Sequence, residues 1–366
     1  MTGNLWTARE IAQQPDVWRT LATSLDADKP RIDAFLAPLL AKEDLRIVLT
    51  GAGTSAFAGQ ILAPGLSRTL RRRIDAVATT DLVSNPREYL AEDVPTLLVS
   101  FARSGDSPES LAAVELAEEV LSECHHLVLT CNPDGQLYRN TAGEHSLALL
   151  MPEGTNDRGF AMTSSVTSMM LAALTVLGAN PDVTLLADVA ADALPDLAKR
   201  ARVLAEDGAD RFVYLGSGPL TGLARESALK LLELTAGRVV SYFDSSLGFR
   251  HGPKSVLNPA TVALVYLSND PYTRRYDLDI ARELRADLPE GQVITIGCRD
   301  DAEEETWSFP GLGHLPDATV APVLLLAAQH VALATSRALG LDPDNPFPGH
   351  EVNRVVKGVT IHALDE

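Results

Sequence analysis

The sequence predicts an α/β protein built from two tandem, doubly wound modules, each a mainly parallel sheet flanked by helices. Three observations predict it. Apolar runs of strand length alternate with longer helical patterns almost throughout, which is the pattern of a parallel sheet with helical crossovers. The chain also repeats itself at one offset. Gly51-Ala52-Gly53 returns 165 residues later as Gly216-Ser217-Gly218, and Leu97–Ala102 and Leu127–Thr130 return 166 residues later as Ala263–Ser268 and Val293–Ile296. Finally, 366 residues with 46% hydrophobic and 22% charged positions suffice for two cores of ordinary size.

Taken in order, residues 1–40 carry helix signals at Trp6, Ile11, Val17, Leu21 and Leu25 and are expected to pack outside the modules. The first module covers 41–180. Its strands are expected at Leu45–Thr50, Thr96–Phe101, Leu127–Thr130 and Leu147–Met151. The stretch between Arg158 and Asp182 has no formal charge, but Thr163, Ser164, Ser165, Thr167 and Ser168 fall in its first half. A buried helix fits that better than a membrane span. An alanine-rich helical linker occupies 181–208, and the second module 209–341. The tail, 342–366, opens with Pro343, Pro346 and Pro348 and should run extended, with Val352–Ile361 as a final element.

The formal charge of −18 repels phosphate backbones and anionic lipid, which argues against nucleic-acid and membrane partners. Three cysteines, none in a C-x-x-C pair, form neither a disulfide framework nor a structural zinc site and suit a reducing, cytoplasmic setting. The N-terminus lacks the basic start and apolar run of a signal peptide. Of eight histidines only His125 and His126 are adjacent, so neither a metal nor an organic cofactor is implied.

A glycine-rich turn between a strand and a helix offers backbone N–H groups and a helix dipole to an anion. Gly51-Ala52-Gly53-Thr54-Ser55 is such a turn. A dinucleotide fold would want glycine at 56 and an acidic residue about 20 positions on, where the chain has Ala56 and Arg71-Arg72-Arg73. Alone, the turn also reads as a helix cap with no ligand. The next strand ends in Arg103-Ser104-Gly105-Asp106-Ser107, with hydroxyls, N–H groups and a guanidinium suited to phosphate. Two such loops on adjacent strands point to a small phosphorylated ligand. In the second module Pro219-Leu220 and Asn269-Asp270-Pro271 replace them, and that edge should repel an anion.

The second module keeps titratable groups instead. Glu226, Lys230 and Glu233 lie at i, i+4 and i+7 of one helix face. Alone, this reads as a solvated stripe with an ion pair. His251 follows in Gly248-Phe249-Arg250-His251-Gly252-Pro253-Lys254. Lone histidines are more often structural, yet a carboxylate and a histidine beside a sugar phosphate suit proton transfer between carbons.

The set Gly53-Thr54-Ser55, Ser104-Gly105-Asp106-Ser107, Glu226–Leu234 and Arg250-His251-Gly252-Pro253-Lys254 resembles the sugar isomerase (SIS) superfamily in its two-module form, including the isomerase half of glucosamine-6-phosphate synthase. Glu10–Pro15, Phe101–Ser110, Thr155–Arg158, Phe160–Ser165, Ser268–Thr273 and Val352–Val356 are similar to the tagatose-6-phosphate ketose/aldose isomerase branch, associated with galactosamine-6-phosphate deamination. The resemblance implies that Gly53, Thr54, Ser55, Ser104 and Ser107 bind the phosphate, with Arg103 where the synthase has glutamine. It implies that Glu233 moves a proton between C1 and C2. His251 would open the ring, reaching across a homodimer interface. Lys357 would lie at the position of a Schiff-base lysine, and Thr163 and Ser164 would line the sugar pocket.

Departures from the pattern sharpen the expectation. Ala102 replaces the first serine of the synthase phosphate loop, and no glutaminase domain precedes residue 41. The implied reaction is thus release of ammonia from a hexosamine 6-phosphate, galactosamine or glucosamine 6-phosphate, to give a ketose 6-phosphate. The alternatives are an aldose–ketose isomerase without deamination and a sugar-phosphate-binding regulator without turnover.

Overall fold

In the computed structural model, all residues except 1–4, 142, 300–303, 350, 357 and 365–366 are described. The chain opens with α1 (Trp6–Ala12) and α2 (Gln14–Leu40). The first sheet holds β1 (Arg46–Gly51), β2 (Ile74–Ala78), β3 (Thr96–Ala102), β4 (Cys124–Thr130) and β5 (Ser146–Leu150). Its helices are α3 (Thr54–Leu70), α4 (Thr79–Ser84), α5 (Pro86–Tyr89), α6 (Pro108–Val120), α7 (Gln136–Asn140) and α8 (Ser164–Val176). After α9 (Val183–Glu206) the second sheet holds β6 (Arg211–Gly216), β7 (Val240–Ser245), β8 (Thr261–Tyr266), β9 (Val293–Gly297) and β10 (Trp307–Ser308). With it come α10 (Pro219–Leu234), α11 (Pro271–Asp287) and α12 (Asp317–Ala338).

The two sheets share one topology. The strand orders are β2-β1-β3-β4-β5 and, reversed, β7-β6-β8-β9-β10, and every pairing is parallel. This is a doubly wound order, whose connections reverse direction between β1 and β3 and between β6 and β8. β1 is buried on both faces, as a central parallel strand must be. Val48 joins Leu98, Leu82, Ala113 and Ala117 in one cluster, while Leu49 faces Gly59 of α3. The second core gathers Val213, Leu215, Ala263, Val265, Ile280 and Leu284, with Phe249 below the loop that follows β7.

Contacts divide the chain into two units that interleave along the sequence. The first-sheet unit is Val17–Asp157, Ser164–Pro181 and Gly349–Glu366; the second-sheet unit is Met1–Asp16, Arg158–Thr163 and Asp182–Pro348.

Two expectations need correction. The edge strands β2 and β7 escape the sequence reading, because each buries only part of its side chains and mixes polar with apolar residues. Val352–Ile361 forms no helix or strand among its described residues; its side chains are mostly exposed, so no packing repays ordering it. The N-terminal helices pack by one face: Ile11 and Trp18 are fully buried, Trp18 Nε1 donates to Thr167 Oγ1 at 3.1 Å, and Asp16, Ser24 and Asp26 are exposed. The uncharged stretch forms α8, with every residue but Thr175 buried. The described helix long and apolar enough to cross a membrane is α12, and 94% of its apolar window is buried in the fold.

Candidate active site

β1 and β3 are hydrogen-bonded neighbours with Thr50 beside Ser100, so the loops that follow them emerge side by side at the reversal point, where α/β folds bind ligands. The β1 turn is tight. A Cβ on Gly51 would lie 2.5 Å from Ser55 Cβ, and Gly53 has φ +55°, a conformation that glycine adopts without strain. The turn delivers Thr54 and Ser55, both buried, as the first residues of α3.

The β3 loop is held just as firmly. Gly105 has φ +70°, Ser104 O accepts from Asn132 Nδ2 at 2.9 Å, and Gly105 O accepts from Leu137 N at 3.0 Å. Asp106 does not point its charge freely outward: Oδ1 accepts from Gln136 N at 2.9 Å. Ser107 is the N-cap of α6, with Pro108 following at the first helical position, where a missing N–H costs nothing. Its Oγ lies 2.6 Å from Ser110 Oγ. The loop hydroxyls and N–H groups thus come from backbone that the sheet has already fixed.

Arg103 is buried, and its Nη2 donates to Arg354 O at 2.8 Å. Arg354 in turn donates to Asn156 Oδ1 at 3.3 Å and to Asp157 O. The Asp157 carboxylate caps α8, accepting from Ser164 N at 3.1 Å, Ser165 N at 3.0 Å and Ser165 Oγ at 2.5 Å. The C-terminal tail is therefore tied, through Arg354, to both the β3 loop and the start of α8. Sequence reasoning missed Asp157 and Arg354 as linking residues. Thr163, the residue before α8, and Ser164, its first residue, are both buried. Lys357 lies outside the described residues.

In the second-sheet unit, α10 packs on β6, β7 and α12. The expected solvated stripe does not exist. Glu226 and Lys230 are fully buried, because Leu223, Ala224, Ala228 and Leu231 make that helix apolar on neighbouring faces too. Lys230 Nζ stands 3.3 Å from Glu226 Oε1 and 2.7 Å from Glu233 Oε2. Burial alone would lower the Lys230 ammonium, but the two carboxylates outweigh it and raise it above the ordinary lysine value. Glu233 is about a quarter exposed and is the member of the triad that solvent or a substrate can reach. Ser227 Oγ sits 2.7 Å from Tyr266 Oη beneath it, and burial holds the Tyr266 phenol protonated.

His251 sits between two short 3-10 turns, Gly248–Arg250 and Pro253–Val256. Its N–H donates to Gly248 O at 2.8 Å, Gly252 follows with φ +123°, and its side chain is exposed. Phe249, fully buried, anchors the loop from below.

The second module's reversal point differs in kind from the first. Gly218 reproduces the backbone of Gly53, with φ/ψ of 57°/−124° against 55°/−125°. Here, however, protein carboxylates fill the edge. Asp277 of α11 accepts from Ser217 Oγ at 2.5 Å, Ser246 Oγ at 2.5 Å and Ser268 N at 3.0 Å. Asp317 accepts from Ser268 Oγ at 2.5 Å and Asn269 N at 2.7 Å. Burial raises both carboxyls, against the hydrogen bonds that favour their ionised forms.

Comparison with known proteins agrees with this architecture. The SIS domain model matches residues 39–178. The putative D-galactosamine-6-phosphate deaminase AgaS of Streptomyces coelicolor is 57% identical over 98% of this chain and 96% of its own. The D-galactosamine-6-phosphate deaminase AgaS of Escherichia coli is 46% identical over 98% of this chain and 95% of its own. The crystal structure of tagatose-6-phosphate ketose/aldose isomerase from Escherichia coli superposes with a TM-score of 0.90, at 45% identity over 99% of this chain and 98% of that one. With two modules of one topology and relatives matched along nearly its whole length, the chain belongs to the SIS-domain family of sugar-phosphate enzymes.

Proposed function

We propose that the protein is a hexosamine-6-phosphate deaminase that acts on D-galactosamine 6-phosphate, using the proton transfer of a ketose/aldose isomerase. The observation that carries this reading is a pair of glycine-bend loops at the first sheet's reversal point; separately, the second-sheet unit offers Glu233, partly exposed and paired with buried Lys230. The relatives named above support the substrate and the reaction type.

In this reading Gly53, Thr54, Ser55, Ser104 and Ser107 hold the phosphate with N–H and hydroxyl donors, and Thr163 and Ser164 line the sugar. Arg103 adds positive charge and keeps the tail in place. His251 passes a proton between the ring oxygen and the anomeric hydroxyl, which opens the ring to the aldehyde. Glu233 removes the proton at C2 and returns it to C1, so the 2-amino aldehyde becomes a 2-imino compound with a C1 alcohol. Water adds to C2, and ammonia leaves from the resulting carbinolamine. Hexosamine 6-phosphate and water thus give ketose 6-phosphate and ammonia. Lys230 holds the Glu233 carboxylate in place through the 2.7 Å contact between Nζ and Oε2.

The protein works as a cytoplasmic homodimer in which His251 serves the partner's site; the exposed position of His251 at a loop tip supports that arrangement. The substrate panel decides the function. Purified protein is given galactosamine 6-phosphate, glucosamine 6-phosphate and tagatose 6-phosphate, and ammonia and ketose are assayed. Ammonia release fastest from galactosamine 6-phosphate is expected. Tight binding without turnover of any of them would instead identify a sugar-phosphate sensor.

A further inference from the structure

His251 is flanked by two cations, and both are tied to one carboxylate. Arg250 Nε donates to Glu283 Oε2 at 2.7 Å, and Lys254 Nζ donates to Glu283 Oε1. Lys254 also lies 2.6 Å from Asp287 Oδ2, one turn further along α11. At the start of the same loop, Ser246 donates to Asp277, again on α11. α11 therefore holds the segment 246–254 at three levels, and Glu283 clasps the residues on either side of His251. The Glu283 and Asp287 contacts are only partly explained as surface ion pairs. Such pairs contribute little singly, but a carboxylate that receives two cations from one short loop fixes the loop's shape.

The loop needs this support. Two 3-10 turns meet at His251, Gly252 has φ +123°, and the turns' backbone hydrogen bonds are short-range: Arg250 N to Leu247 O, His251 N to Gly248 O, Ser255 N to Gly252 O and Leu257 N to Lys254 O. Phe249 secures the loop's floor, and Arg211 Nη1 donates to Val256 O at 2.7 Å at its far end. Between those two anchors the charged side chains of Arg250 and Lys254 tie the tip to α11. The Glu283 clasp holds that tip from both sides of His251.

The geometry points to Glu283 as a positioning residue for ring opening: its carboxylate clasps Arg250 and Lys254 and so aims His251. This rests on the proposed role of His251. A proton relay to a ring oxygen is sensitive to displacements of an ångström, so loosening the clasp should slow ring opening and leave phosphate binding nearly intact. The two cations draw Glu283 below the ordinary carboxylate range, so the clasp stays charged over the working pH.

The test follows exchange between the α and β anomers of galactosamine 6-phosphate by exchange NMR, together with kcat, KM and phosphate binding. The proteins are the intact enzyme and the variants Glu283→Gln, Glu283→Asp, Lys254→Gln and His251→Ala. Glu283→Gln is expected to slow enzymatic anomerisation and kcat about tenfold or more, with KM changed less than about threefold, as loss of a group acting only in the transition state does. Glu283→Asp should recover part of the rate, and Lys254→Gln, which keeps the Arg250 leg, should show a smaller loss. Adding Glu283→Gln to His251→Ala should cost nothing further. If His251→Ala abolishes anomerisation while Glu283→Gln and Lys254→Gln leave it unchanged, the clasp has no positioning role and the reading of His251 stands. If His251→Ala leaves anomerisation unchanged, the reading of His251 fails and the clasp's role with it. If Glu283→Gln loses phosphate binding in proportion to kcat, its effect is on folding, and Lys254→Gln at full rate would then overturn the proposal.

Discussion

Lys230 Nζ lies 2.7 Å from Glu233 Oε2 and 3.3 Å from Glu226 Oε1, with the lysine and Glu226 both fully buried. One cation thus serves two carboxylates, one sealed in the core and one at its border. Removing Lys230 alone, as Lys230→Met, strands the Glu226 carboxylate in an apolar setting and should cost about 3–5 kcal/mol of stability. The double variant Glu226→Gln/Lys230→Met removes both buried charges and should regain most of that loss in urea unfolding. Turnover should stay low in both, since Glu233 has lost its partner.

The proposed phosphate-binding role of the β1 and β3 loops makes a separate prediction. A hydrogen bond to a charged group is worth about 1.5–3 kcal/mol, so Ser55→Ala and Ser104→Ala should each raise KM roughly ten- to a hundredfold. Their effect on kcat should be smaller. Asn132→Ala, which cuts the tie to Ser104 O, should act in the same direction more weakly. Steady-state assays with galactosamine 6-phosphate check all three.

If His251 works in the partner's site, two dead variants should revive each other. Glu233→Gln should stop solvent-deuterium incorporation at C1 and C2, and His251→Ala should stop ring opening. After mixing in equal amounts with subunit exchange, half the dimers are hybrids with one intact site, so about a quarter of the wild-type activity returns. No recovery despite demonstrated exchange would place His251 in its own subunit's site.

His330, on α12, supplies the pH prediction. Burial pushes its imidazole down to about 4 from the usual 6.5. Its folded value lies below its unfolded one, so its contribution is present above pH 6.5 and is lost as pH falls toward 4. The loss amounts to about 3 kcal/mol. Thermal melts of the intact protein should therefore fall between pH 6.5 and 4, and His330→Gln should flatten that dependence.

Much of this was legible in the residues, and the failures have physical causes. The central strands show as apolar runs because parallel strands are buried on both faces. β2 and β7 lie at sheet edges, where half-buried mixed sequence carries no such run. The Gly53 turn was readable because its bend demands glycine. The burial of Glu226 and Lys230 was not, since charge pattern on one helix face says nothing of what covers that face. Asp157 and Arg354 are 197 positions apart, and no local pattern reports a contact at that range.

The Asp277 and Asp317 carboxylates at the second reversal point have one more consequence. An edge already satisfied from within gains nothing by closing on a ligand, so its ordering is complete once the chain has folded. The second module is thus preorganised at that edge, where α11 and α12 hold Ser217, Ser246 and Ser268 through their own carboxylates.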